Sequence, residues 1–142
     1  MSLDLATAQS IVAEALSVGQ QDGFKPLTVV VLDSGGHLIA AARQDGASNN
    51  RFEIAHGKAY GALALGMGSR ALMERAEQQA YFISAATAAL GGRLIPVPGG
   101  VLVRGNDGGL LGAVGISGDS SDNDETAASK AIQTAGLTAQ VA

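Results

Sequence analysis

Apolar residues recur along this chain at two different periods. Leu5, Ala8, Ile11, Val12, Ala15, Leu16 and Gly19 fall at helical spacing, with Glu14, Gln20 and Gln21 off the stripe. That spacing predicts an amphipathic first helix, capped by Ser2 or Asp4 and broken by Gly23 to Pro26. Leu27 to Leu32 is an unbroken, largely β-branched run that predicts a buried strand. Asp33-Ser34-Gly35-Gly36 reads as a tight turn, and His37 to Arg43 as the returning strand. After a polar loop over Gln44 to Asn50, a second helical stripe runs through Phe52, Ala55, Ala59, Leu63 and Met67. Ala71 to Ala89 predicts helix in pieces, closed by Gly91-Gly92. Pro96 and Pro98 exclude helix from the next segment.

The last third carries a different signature. Gly99 to Arg104 and Gly109 to Gly118 are apolar runs around a turn rich in Asn, Asp and Gly, which predicts a β-hairpin. Its second strand holds Gly112, Gly115 and Gly118. Glycine inside a core strand marks a place where another backbone, or a ligand, comes close. A final helix is expected from about Ser121 to Thr138, opened by a capping box of Ser121 with Asp124. The strands come in hairpins rather than crossovers. The expected fold is therefore α/β (α+β), with a largely antiparallel five-stranded sheet and the N- and C-terminal helices packed on it. No repeat, linker or low-complexity tract divides residues 1–142, so one domain is expected.

Composition narrows the function classes. Hydrophobic residues make up 46% of the 142 and charged residues only 15%, with 20 glycines. So little charge on Ala- and Gly-rich helices points to surface covered by further copies of the chain. A net charge of -4 argues against nucleic acid as a partner, because phosphate binding needs clustered Lys and Arg. Without cysteine there is no disulfide, thiolate metal site or thiol nucleophile. Met1 to Leu5 lack a basic segment leading into an apolar one, and no apolar run approaches the roughly 20 residues of a membrane span. A cytoplasmic protein with no membrane contact is expected.

Few residues are equipped for chemistry. His56 shares one helix face with Phe52 and Tyr60 at i, i+4 spacing. It suits an axial haem ligand, a metal ligand or a general base, while a lone helical histidine more often simply fills a helix face. His37, after a Gly-Gly turn, reads as an exposed turn residue. Arg43 ends a strand, Asp45 follows in the loop, and Lys58 lies on the helix that the loop feeds. Converging, they would hold a carboxylate or a haem propionate, or else fasten the loop to the helix as an ion-pair network. Arg51 and Glu53 read as a solvated helix face. Asp119, Asp122, Asp124 and Glu125 lack the spacing of a calcium loop and suit helix capping, so no metal site is expected. Gly112-x-x-Gly115-x-x-Gly118 is not a dinucleotide fingerprint, and no phosphate-binding Walker motif or nucleophile elbow occurs.

Four blocks resemble, in the same order, the HbpS/GlcG-like family. They are Val31 to Leu38, Ala42 to Ala47, Ile54 to Tyr60, and Pro98 to Gly118. That family includes haem-binding HbpS proteins and the C-terminal domain of PduO-type corrinoid adenosyltransferases. The resemblance spans about residues 5–138. It implies a profilin-like sandwich, homo-oligomers and, in some members, binding of haem or free iron. One departure stands out. PduO-type domains are understood to use a histidine on the first helix as haem ligand, and Leu3 to Gln21 contains none.

The leading expectation is an oligomeric binding protein for haem or another small anionic ligand. Arg43, Asp45, His56 and Lys58 would contact the ligand, with Gly99 and Gly100 offering backbone N–H groups. The alternative is a small catabolic enzyme, a lyase or isomerase of a carboxylated substrate. There His56 and Lys58 would be catalytic, His56 moving the proton while Lys58 or Arg43 holds the acid group.

Overall fold

In the computed structural model, which describes residues 2–142, five helices surround one five-stranded sheet. The helices are α1 (Leu5–Gln21), α2 (Arg51–Leu65), α3 (Ser69–Gln78), α4 (Ala80–Ala89) and α5 (Ser121–Thr134). The strands are β1 (Thr28–Asp33), β2 (Leu38–Arg43), β3 (Gly100–Arg104), β4 (Leu110–Ser117) and β5 (Thr138–Gln140). Every pairing is antiparallel, in the order β2-β1-β4-β3-β5. The two hairpins meet side by side through β1 and β4, so the central strands come from opposite ends of the sequence.

Helices cover both faces of the sheet. Val29, Val31, Val114 and Ile116 pack against α1 and α5, while Val30, Leu32, Leu102 and Ala113 pack against α2. Covering both faces explains why β1 reads as one apolar run instead of alternating. Each such Val, Leu or Ile contributes about 1.5–3 kcal/mol by leaving water. A third, smaller cluster of Leu72, Ile83 and Leu94 anchors α3 and α4. No helix among the described residues is long and apolar enough to cross a membrane.

Asp4 caps α1, its carboxylate accepting from the Thr7 N–H at 2.8 Å. The last helix departs from its expected bounds at both ends. Ser120, not Ser121, is its cap and accepts from the Asn123 N–H at 3.1 Å. It stops at Thr134, and Gly136 turns the chain at φ 80°. Thr138–Gln140 then pairs with β3 as an edge strand. Backbone pairing with an open sheet edge outweighs the weak helical periodicity of this tail.

Candidate functional site

Small residues set the position of α2. Its inner face is Ala55, Ala59 and Ala62, and the sheet beneath offers Gly115 and Gly100. A Cβ at Gly115 would fall on the Ala55 carbonyl oxygen, and one at Gly100 on the Lys58 carbonyl oxygen. The close approach signalled by these strand glycines is therefore that of a helix backbone. On its flank, Gly57 and Gly61 admit Ile95 and Leu94.

With the helix this low, Lys58 runs beneath it to the end of β4. Its ammonium donates to the Ile116 carbonyl at 2.9 Å and to Asp124 Oδ2 at 3.1 Å. The side chains of Lys58 and Asp124 are 2% and 1% exposed. The other carboxylate oxygen of Asp124 accepts from the Asp119 N–H at 3.0 Å. The pair thus ties α2, on one face of the sheet, to the first turn of α5 on the other. Burial pulls the Lys58 ammonium below its ordinary range, and the charge of Asp124 opposes that shift. Burial pushes Asp124 upward, with Lys58 opposing.

The other residues expected beside Lys58 lie elsewhere. Arg43 donates to the Ala47 carbonyl at 2.6 Å, and Asp45 is exposed in the loop. Neither forms an ion pair among the described residues. Gly99 does lie against Lys58: a Cβ there would sit 2.8 Å from its Nζ. The Gly100 N–H donates to Ser69 Oγ at 2.7 Å, so it is already engaged. The group on α2 that bonds across to the sheet from the helix start is Arg51, donating to Ser117 Oγ at 3.0 Å. Arg51 and Asp124 were both legible as polar residues, but their neighbours in sequence suit solvated and capping roles.

His56 belongs to the outward face of α2. Its ring centroid lies 5.8 Å from that of Phe52 and 5.5 Å from that of Tyr60, with the Tyr60 rings inclined by only 22°. The Arg93 guanidinium sits 4.2 Å over the Tyr60 ring. Gly36, in the β1–β2 turn, abuts the edge of that ring. A shallow cleft of about 100 Å³ opens there, lined by Ser34, Gly35, Gly36, Tyr60, Leu63 and Ala64. His56 is half-buried, and neither ring nitrogen has a hydrogen-bond partner among the described residues. Burial, and secondarily the positive charge of Arg93, hold its pKa below the ordinary 6.5. His37 is a turn residue with an 82% exposed side chain, its Nδ1 lying 3.2 Å from Asp33. No group of three His, Asp or Glu side chains converges among the described residues.

A two-faced helix of small residues on an antiparallel sheet defines an α/β sandwich, and comparison places it more narrowly. Residues 3–133 match the family model described as haem degrading protein HbpS-like, and the chain belongs to that family. A crystal structure of a PduOC–haem complex is 25% identical with a TM-score of 0.86, covering 96% of this chain and 97% of that one. The protein ORFY of Klebsiella pneumoniae is 25% identical, TM-score 0.84, over 93% and 89% of the two chains. HbpS is also 25% identical, TM-score 0.78, over 94% and 89%. No curated protein sequence matches.

Proposed function

We propose that the protein binds haem on the outward stripe of α2, where His56 would supply a nitrogen to hold the iron. The observation that carries this is a half-buried imidazole with both nitrogens unpartnered, flanked by two aromatic rings. The donor set suits the group: a neutral imidazole for iron, flat apolar neighbours for a macrocycle, and Arg93 for a propionate. Family membership and the haem complex of PduOC support the same reading. The first helix lacks the histidine expected of PduO-type domains, so the iron donor has to come from another element. Haem, when bound, supplies the redox-active iron. The protein's part is to offer the nitrogen and shield one face.

A lyase or isomerase would need His56 beside Lys58 or Arg43 at one substrate, and Arg43 is bonded to the Ala47 carbonyl in the loop. Lys58 faces the sheet and is spent on Asp124, whereas His56 faces outward. That separation favours binding over catalysis. Haemin titrated into the parent protein is expected to give a saturable shift of the Soret band. In His56→Ala the affinity should fall at least about tenfold, the loss of one charge-assisted or coordinate contact. Only neutral imidazole binds iron, so affinity should persist below pH 6.5 and fall on further acidification. Equal affinity in His56→Ala, or a loss centred above pH 6.5, would contradict the assignment.

We further infer that copies associate along β2. This strand is a sheet edge with unpaired backbone groups on its outer side. Beside it, a groove of about 390 Å³ runs between α1 and β2, lined by aliphatic side chains and Gln9 and flanked by Leu5 and Leu38, which are 54% and 56% exposed. Sedimentation equilibrium should give a mass at least twice that of the 14.1 kDa monomer, and Leu38→Lys should shift it toward monomer. A parent protein that sediments as a single monomeric species at micromolar concentration rules this out.

A further inference from the structure

Two of the chain's nine Lys and Arg residues line one small cavity and a third bonds its wall, and none of the three forms an ion pair among the described residues. Lys25 and Arg51 line it with Pro26, Gly46, Ala47 and Ser48, in a volume of about 210 Å³. Arg43 borders it by bonding the Ala47 carbonyl. Of the other six cations, Lys58, Arg70 and Lys130 have carboxylate partners, Arg75 and Arg93 lie on aromatic rings, and Arg104 is bound to Gln140. Arg51 is held in place by two hydroxyls, donating through Nε to Ser48 Oγ at 2.9 Å and through Nη1 to Ser117 Oγ at 3.0 Å. Its Nη2 has no partner among the described residues. Asp119 stands nearby, accepting from the backbone N–H groups of Lys25 and Ser120 and from the Asn123 side-chain amide, and its charge acts on Lys25 without a direct ion pair.

A second observation comes from beneath. Thr28 lies between Arg43 and Ser117 in the sheet register, on the face that α2 covers. It is 1% exposed, and its hydroxyl has no hydrogen-bond partner among the described residues. A buried hydroxyl without a partner is costly, and this one lies in the strand position next to Ser117, which holds Arg51, although Thr28 itself does not line the cavity.

We propose that this cavity, distinct from the His56 stripe, binds a short-chain carboxylate. Unpaired guanidinium N–H groups match the planar acceptor geometry of a carboxylate. The Pro26 and Ala47 walls suit a short hydrocarbon chain better than the fully hydrated faces of a phosphate. The volume is too small for a porphyrin.

Titration calorimetry with succinate tests the proposal, with inorganic phosphate as the competing anion. The parent should bind succinate, and phosphate more weakly. Arg51→Gln should weaken succinate binding about tenfold, the loss of one charge-assisted contact. Lys25→Gln changes an exposed side chain and should weaken it by a smaller factor, which keeps the test open if Arg51→Gln folds poorly. Lys130→Gln, at the far end of α5, should match the parent, and so should His56→Ala, which separates this site from the haem reading. No uptake of succinate at millimolar concentration overturns the proposal. So does phosphate binding as tightly as succinate, or an equal loss in Lys130→Gln.

Discussion

Lys58→Met is expected to lower the unfolding free energy by about 3–5 kcal/mol, the cost of leaving one member of a buried pair uncompensated. Asp124 would remain 1% exposed with its cation gone. Asp124→Asn should also destabilise, and Asp45→Asn should not, because Asp45 is exposed and unpaired. The double variant Lys58→Met with Asp124→Leu removes both charges and should recover most of the loss. Urea unfolding at fixed protomer concentration measures all four.

The pH dependence has a definite sign. Burial raises Asp124 above the ordinary 3.8, so the native state holds a proton where the unfolded chain has released it. Stability from this group therefore falls as pH rises through that window. In Lys58→Met the native carboxyl rises further, so the deficit against the parent should be widest near neutrality and narrow toward pH 3.8. A parent-like Lys58→Met, or a deficit independent of pH, contradicts the structural role.

Gly115→Ala should cost about 3 kcal/mol, the upper part of the range for overpacking. The added methyl meets the Ala55 carbonyl and approaches the Ala59 methyl to 3.0 Å. The first of these is helix backbone, which cannot rotate aside. Gly100→Val should be at least as damaging, since its Cβ falls on the Lys58 carbonyl. Gly108→Ala is the contrast. That residue has open space but φ +84°, so only the left-handed conformation costs, about 1 kcal/mol. Thermal unfolding that ranks Gly108→Ala below Gly115→Ala would refute this packing.

The hairpins were legible because apolar runs and Gly-rich turns are local signals. The unbroken run Leu27–Leu32 announced a strand covered on both sides. Gly112 and Gly115 announced a close approach, but the approaching groups, the β1 backbone at Gly112 and the Ala-lined face of α2 at Gly115, are set by tertiary packing. The stripe Phe52–His56–Tyr60 followed from i, i+4 spacing, whereas Arg93 joins it from a segment 33 residues after Tyr60. Asp124 was the least legible. Its acidic neighbours at a helix start all suit capping, and nothing local marks a partner 66 residues away. β5 was hidden because three residues carry almost no periodicity and take their conformation from the edge of β3.

Electron paramagnetic resonance of the ferric haem complex tests whether His56 holds the iron, because it reports the iron's ligands. The parent is expected to show nitrogen ligation, and His56→Gln to lose that signature while Lys25→Gln keeps it. A nitrogen-ligated spectrum that persists unchanged in His56→Gln would place the iron away from His56.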